Sequence, residues 1–310
     1  MNGTHTIAFP GFGLSFEVDP VAFTLFGLEI KWYGVIITVG ILCALLLFYR
    51  YAKKVEGLPE DHLYNLALFT IPLAIIGARF VSVATKWDQY KGSISDIINI
   101  RQGGLAIYGW IIFGALTIFV YTRITKLSTL KVMDAVAPAV MVGQIIGRWG
   151  NFVNAEAYGD SANVETLFCR MVITDAYGRT VVCHPTFLYE SLWNLVGVLL
   201  LCLIFYRHKK FDGEIICLYV GWYGFGRTFI EFLRTDSLYL IGDLKFSVFV
   251  GICSVILCIV GLLLLSKRAK RRKAGATYTA KFRSASVETV GESPEAAVEE
   301  SPENEDVRDE

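Results

Sequence analysis

The sequence predicts an all-α polytopic membrane protein with seven transmembrane helices and a small extracytoplasmic head that includes some strand. Three observations predict it. Apolar residues make up 54% of the 310 residues and charged residues only 19%, against roughly 45–50% and about 25% in an ordinary soluble domain. The mean hydropathy is +0.49. Two long stretches, 102–122 (QGGLAIYGWIIFGALTIFVYT) and 246–266 (FSVFVGICSVILCIVGLLLLS), carry no charge at all. A bilayer core about 30 Å thick needs about 20 such residues in a helix, whose backbone satisfies its own hydrogen bonds. This composition excludes a disordered protein, a basic-patch nucleic-acid binder and a disulfide-stapled miniprotein.

In chain order the expected spans are 32–49, 63–85, 102–122, 132–153, 191–206, 213–232 and 246–266. Three of them hold one arginine near their outer part: Arg79, Arg148 and Arg227. Lys+Arg and Asp+Glu are equal at 29 each, but the charges are sorted. Alternate connections hold fifteen Lys and Arg on one side, including the run KRAKRRK at 267–273, and eight on the other. The positive-inside rule makes the first side cytoplasmic, with the N-terminus outside and the C-terminus in the cytoplasm. Residues 1–20 lack the basic and apolar regions of a signal peptide, so the first span is expected to direct insertion. The membrane domain covers 1–273. Residues 274–310, with ten acidic residues from Glu288 onward, read as a disordered acidic cytoplasmic tail. Residues 154–185 form the longest outside connection, and Gly159-Asp160, Tyr177-Gly178 and the VVC run at 181–183 suggest a strand-and-turn head. Cys169 and Cys183 fall in it and are either a disulfide or two free thiols. The other five cysteines lie in apolar helices and read as packing residues.

An arginine deep in a span costs roughly 2.5–3.5 kcal/mol on insertion scales, so each needs a reason. Arg79 either snorkels to the headgroups or serves a site. Arg148 lies in a polar neighbourhood with Asn151, Asn154 and Glu156. Arg227 has Glu231 four residues on and Tyr223 four residues before, on one helix face. Glu231 is either a plain ion-pair partner or part of a pocket. Two guanidiniums at similar depth suit a lipid phosphate, which arginine binds bidentately. Tyr33 opens the first span and Tyr108 lies six residues into the third. The glycines around Tyr108 (Gly103, Gly104, Gly109, Gly114) suit close helix packing. No metal-ligand spacing, phosphate loop or nucleophile elbow is present, and no cofactor is implied.

These residues resemble the prolipoprotein diacylglyceryl transferase family. The strongest match is GRWGNFVNAEAYG at 147–159, joined in order by KWYG at 31–34, GGLAIYG at 103–109, HPTFLYE at 184–190 and YGFGRTFIEFLR at 223–234. The resemblance implies a bacterial cytoplasmic-membrane enzyme with its active site toward the outer leaflet. Its partners would be phosphatidylglycerol, the signal peptides of prolipoproteins with a lipobox cysteine, and the bilayer. Arg148 matches the family's lipid-binding arginine, and Arg227 a second essential arginine with Tyr223 beside it. Asn151 and Gly159 match essential signature positions, Tyr33 matches the tyrosine of the family's first helix, and Asn154, Glu156 and Glu231 complete the expected binding set. Tyr108 departs from the family, standing where many members have a histidine proposed as general base. A phenol with an ordinary pKa near 10 is a poor base at neutral pH, so Tyr108 is expected to orient the phosphate or thiol. His184 and Glu190 are the alternative bases. Ser82 also departs, standing where an aromatic residue is expected. A transporter or receptor for an anion, and a metal-dependent phosphatidyltransferase, are the rival classes. The first would want a midplane site and repeated halves, and the second acidic metal ligands that the spans lack.

Overall fold

A computed structural model describes residues 3–100, 103–161, 164–234, 239–241 and 244–290. The chain divides into two units, Met1–Leu265 and Ser266–Glu310. The first opens with four strands, β1 (His5–Phe9), β2 (Leu14–Val18), β3 (Val21–Leu25) and β4 (Leu28–Lys31). Helices follow: α1 (Trp32–Lys54), α2 (Glu60–Thr85), the short α3 (Trp87–Tyr90) and α4 (Ile94–Ile98), α5 (Ile107–Ile124) and α6 (Thr129–Val153). A hairpin, β5 (Met171–Thr174) and β6 (Thr180–Cys183), precedes α7 (Thr186–Leu200) and α8 (Glu214–Phe232). The backbone pair β7 (Tyr239–Ile241) and β8 (Leu244–Lys245) leads into α9 (Phe246–Val290), which runs on into the second unit.

Among the described residues, six helices are long and apolar enough to cross a membrane: Trp32–Lys54, Glu60–Thr85, Ile107–Ile124, Thr129–Val153, Thr186–His208 and Phe246–Ala274. The remaining long helix, α8, was also expected to span. It carries Glu214, Arg227 and Glu231 within 19 residues and falls outside that set. The start of the expected 102–122 span falls partly outside the described residues, and α5 itself begins at Ile107. Helix α9 continues to Val290 through a stretch rich in Lys, Arg and Ala, all good helix formers. The rest of the expected disordered tail lies outside the described residues.

The head is larger than the 154–185 connection. Its sheet runs β2-β1-β5-β6, all antiparallel, so half of it comes from the N-terminus. Ile7 pairs with Phe16 on one side and Ile173 on the other. One face is dry: Ile7, Phe9, Met171, Ile173, Cys183 and Phe187 form a buried cluster. The short period-two runs at 5–9 and 171–174 show this alternation in their burial. Cys169 and Cys183 are both free thiols. Burial pushes the Cys183 thiol up to about 12.

The helices pack mainly as α1 on α6, α2 on α5, and α6 on α7 and α8. A Cβ on Gly109 would lie 2.3 Å from the Gly77 carbonyl oxygen, so here the α2 and α5 backbones touch. The small-residue packing expected near Tyr108 therefore holds at this position. Arg79 does not snorkel. It is 8% exposed, and its guanidinium donates to the carbonyls of Asp96, Ile97, Gly103 and Gly104. It also lies 4.6 Å from the Tyr90 ring centroid. Gly103 and Gly104 have φ of 88° and 70°, values that let both carbonyls turn to one cation. The arginine is the internal peg of the 86–106 connection.

Candidate active site

Helix α6 ends in the signature segment, and its last turn fixes the first part of the site. Arg148 donates to Asn151 Oδ1 at 3.2 Å, and Asn151 Nδ2 donates to Glu156 Oε1 at 3.0 Å. Asn154 Nδ2 reaches the same oxygen at 3.3 Å. Glu156 is turned back toward the helix because Ala155 and Ala157 on either side have φ of 47° and 56°. Left-handed alanines are uncommon and cost of order 1 kcal/mol or more each. They are held by Thr186 Oγ1, which donates to the Ala157 carbonyl at 2.6 Å, and by the Glu156 N–H on the Asn151 carbonyl at 3.0 Å.

The second part comes from α7 and α8. Glu190, on the first turns of α7, is 3% exposed and sits between three arginines. Its Oε2 is 2.5 Å from Arg148, and its Oε1 is 2.8 Å from Arg227 and 3.3 Å from Arg234. Arg227 also meets Glu231 at 2.5 Å, and Glu231 is 1% exposed. Three guanidiniums thus face two buried carboxylates. Arg148 and Arg227 keep 22% and 16% of their side-chain surface exposed. A small pocket beside it is lined by Glu190, Trp193, Asn194, Tyr223, Arg227 and Ile230.

The sequence-expected residues divide accordingly. Arg148, Asn151, Asn154 and Glu156 are one chain of polar contacts, and Arg227, Glu231 and Tyr223 meet it through Glu190. Tyr108 meets the ring of Phe246, the residue before Ser247, edge-on at 5.2 Å. Arg227 Nη2 is itself 3.5 Å from Ser247 Oγ. Tyr33 lays its ring on Gly150, where a Cβ would meet it at 2.8 Å, and feels the charges of Glu156 and Arg148. Gly159 sits in a joint instead. Its N–H donates to the His184 carbonyl, it bridges to Arg234, and an added Cβ would lie 2.7 Å from His184 Cβ and 2.8 Å from the Leu233 carbonyl. His184 Nδ1 is 3.3 Å from Tyr189 Oη, which also lies 3.4 Å from Cys169.

Sequence reasoning weighed Glu190 only as a base and missed it as the hub. The signal was available, because Arg148 and Arg227 have only one carboxylate, Glu231, close to them within the expected spans. Arg234 and Asn194 were also missed.

A membrane protein of several apolar helices with a buried arginine–carboxylate cluster is the class that fold and site define. The family model for prolipoprotein diacylglyceryl transferase matches residues 20–265, and the chain belongs to that family. A relative from Lysinibacillus sphaericus, named phosphatidylglycerol–prolipoprotein diacylglyceryl transferase, is 42% identical over 84% of this chain and 96% of its own length. Relatives of the same name from Clostridioides difficile and Clostridium perfringens are each 41% identical, over 82% and 83% of this chain and 98% of their own lengths.

Proposed function

We propose that the chain crosses the bacterial cytoplasmic membrane seven times, α8 included, with the N-terminus outside, and works at the outer leaflet. There it transfers the diacylglyceryl group of phosphatidylglycerol to the lipobox cysteine of a prolipoprotein. The observation that carries this reading is the convergence of Arg148, Arg227 and Arg234 on one buried carboxylate. The cluster is pre-arranged, and the partly exposed Arg148 and Arg227 offer their guanidiniums to a phosphate.

The cysteine sulfur attacks the glycerol carbon that bears the phosphate ester. A carbon–sulfur bond forms, the carbon–oxygen bond breaks, and glycerol 1-phosphate departs. The thiol proton ends on the phosphate monoester or in water, so atoms and charge balance. Arg148 and Arg227 stabilise the charge that grows on the departing phosphate, where fixed donors in a water-poor site act most strongly. A free cysteine is only a few per cent thiolate near neutral pH, and the same cations favour its anion. Glu190 and Glu231 hold the guanidiniums in place, as do Asn151 and, through it, Asn154 and Glu156. Tyr108 and Tyr223 orient lipid or thiol, Tyr33 supports the Arg148 end, and Gly159 keeps the head joined to α7 and α8.

The test is a mass assay with purified protein, phosphatidylglycerol and a lipobox peptide holding one cysteine. A diacylglyceryl mass gain with release of glycerol phosphate is expected. A phosphate-linked product, or no product from folded protein, overturns the proposal.

A further inference from the structure

One helical turn before Arg148 on α6, and two before Arg227 on α8, a second set of polar side chains joins the helices that carry the arginine cluster. Gln144 Nε2 on α6 donates to Tyr219 Oη on α8 at 3.0 Å. Next to Gln144, the Ile145 carbonyl accepts at 3.3 Å from the Oγ of Ser191 on α7, the neighbour of Glu190 in the chain. Tyr219 in turn stacks on Tyr223, with ring centroids 6.1 Å apart and planes at 21°. Tyr223 lines the small pocket beside Glu190 and Arg227.

The tie between Gln144 and Tyr219 is a poor choice for stability. Gln144 Oε1 is buried with no hydrogen-bond partner, and turning the amide over would only make its nitrogen the unpaired atom. A polar atom buried unpaired in a span is costly, and a side-chain hydrogen bond between membrane helices returns little. Nor is the tie needed to hold α6 to α8. Asp134 on α6 already accepts from the N–H groups of Gly213 and Ile216 at the start of α8, ten residues before Gln144, about 15 Å along the helix. What the Gln144–Tyr219 bond adds is register close to the site. Gln144 and Arg148 are four residues apart on one face of α6, and Tyr219 and Tyr223 are four apart on one face of α8.

We propose that Gln144 and Tyr219 are positioning residues for the transfer reaction. Their bond fixes α6 against α8 one turn from Arg148 and Tyr223, and so sets the spacing between Arg148 and the face that carries Tyr223 and Arg227. They act through those neighbours and not on the reacting atoms. Cutting the bond leaves the helices joined at Asp134 but lets their outer ends shift, and a small misplacement of catalytic groups is enough to slow the chemical step. The inference rests on the transfer reaction proposed above.

The experiment assays the full chain in nanodiscs with phosphatidylglycerol and one lipobox peptide, and measures its melting temperature alongside. Gln144→Met keeps the length of the side chain, Tyr219→Phe keeps the ring, and each cuts the same bond. Both variants, and the double variant, should lose kcat by the same factor, roughly tenfold or more, within the hundredfold that a misplacement of about 1 Å can cost. KM for phosphatidylglycerol should stay within about threefold, because the groups that bind it are all present. Stability should not follow turnover. Tyr219→Phe strands the whole Gln144 amide and should melt lowest. Gln144→Met strands only the phenol, and the double variant strands nothing and should melt highest of the three. A purely structural tie makes turnover track melting, so a double variant that regains turnover along with stability overturns the inference. Unchanged kcat in either folded single variant overturns it too. So do single losses that multiply in the double variant, which would give the two residues separate roles. Absence of any lipidated product from the native chain would instead sink the transfer reaction itself.

Discussion

Glu190 concentrates much of the site in one side chain. A carboxylate at 3% exposure is costly to bury unless paired, and here it is paired three times over. Glu190→Gln keeps the shape and removes the charge, leaving Arg148, Arg227 and Arg234 without the carboxylate that all three share. Breaking a buried pair costs about 3–5 kcal/mol, and a small displacement of a positioned group can cost about a hundredfold in rate. Glu190→Gln is therefore expected to lower kcat/KM by about a hundredfold in the lipid–peptide assay, while Glu190→Asp recovers part of it. Cys183 makes a separate residue-scale prediction. Its thiol is completely buried and is raised to about 12 by that burial. It should resist maleimide at pH about 8 in the folded protein and label once the protein is unfolded. The folded state keeps the Cys183 proton after the unfolded chain has begun to release its own, around the thiol's ordinary value of 9.0. This thiol's contribution to stability is thus full below pH 9.0 and lost progressively as pH rises toward about 12. Rapid labelling of Cys183 in folded protein would contradict both statements.

At the scale of elements, what was legible in the sequence depended on whether the signal was local. The six apolar helices announce themselves by composition, and the polar segment 147–159 by residue type. The N-terminal strands did not. Residues 5–18 alternate only briefly, and their partner β5 lies more than 150 positions away, so nothing local shows that the head is a shared sheet. Arg79 was ambiguous for a similar reason. Its partners are carbonyls, which every residue carries, and only the fold reveals which ones converge. The structure makes it a peg, and a prediction follows. Arg79→Met retains much of the bulk but leaves four carbonyls without their donor, at about 1 kcal/mol or more for each that water does not reach. The 86–106 connection, including α3 and α4, should then become the first protease-sensitive segment, while the core of α2 and α5 stays protected. Unchanged proteolysis there would show that the connection is held by something else.

The whole molecule is tied at the end away from the arginine cluster by a second charged knot that the sequence did not disclose. Lys209 follows α7, where the helix widens into a π-turn at Leu201–Phe205 and tightens at Tyr206–His208. Its ammonium lies 2.5 Å from Glu56 in the α1–α2 connection and 2.8 Å from Asp134 on α6, with Asp212 at 3.7 Å. Asp134, wholly buried, also accepts the backbone N–H groups of Gly213 and Ile216 at 2.7 and 2.9 Å, so it caps the start of α8. One ammonium thus fastens four elements, and it does so for two buried carboxylates at once. Burial alone would lower the Lys209 pKa, but Asp134 and Glu56 reverse this and raise it. Burial raises Glu56 above the usual carboxylate range even though Lys209 pulls the other way. Lys209→Met removes the only cation among these contacts and should cost about 3–5 kcal/mol, because it strands buried charge rather than merely deleting a contact. The sign of the pH dependence follows. With the ammonium gone, Glu56 is held still further toward its neutral form, a raised folded pKa whose contribution is present at low pH and lost as pH rises. The variant's deficit in Tm relative to the native protein should therefore shrink as pH falls from about 8 to 5. The double variant Lys209→Met with Glu56→Gln should recover part of the loss at neutral pH, because it removes the charge that the lysine was there to match. A deficit that is independent of pH, together with no recovery in the double variant, would mean that Lys209 contributes through its packing alone and that the knot is not electrostatic.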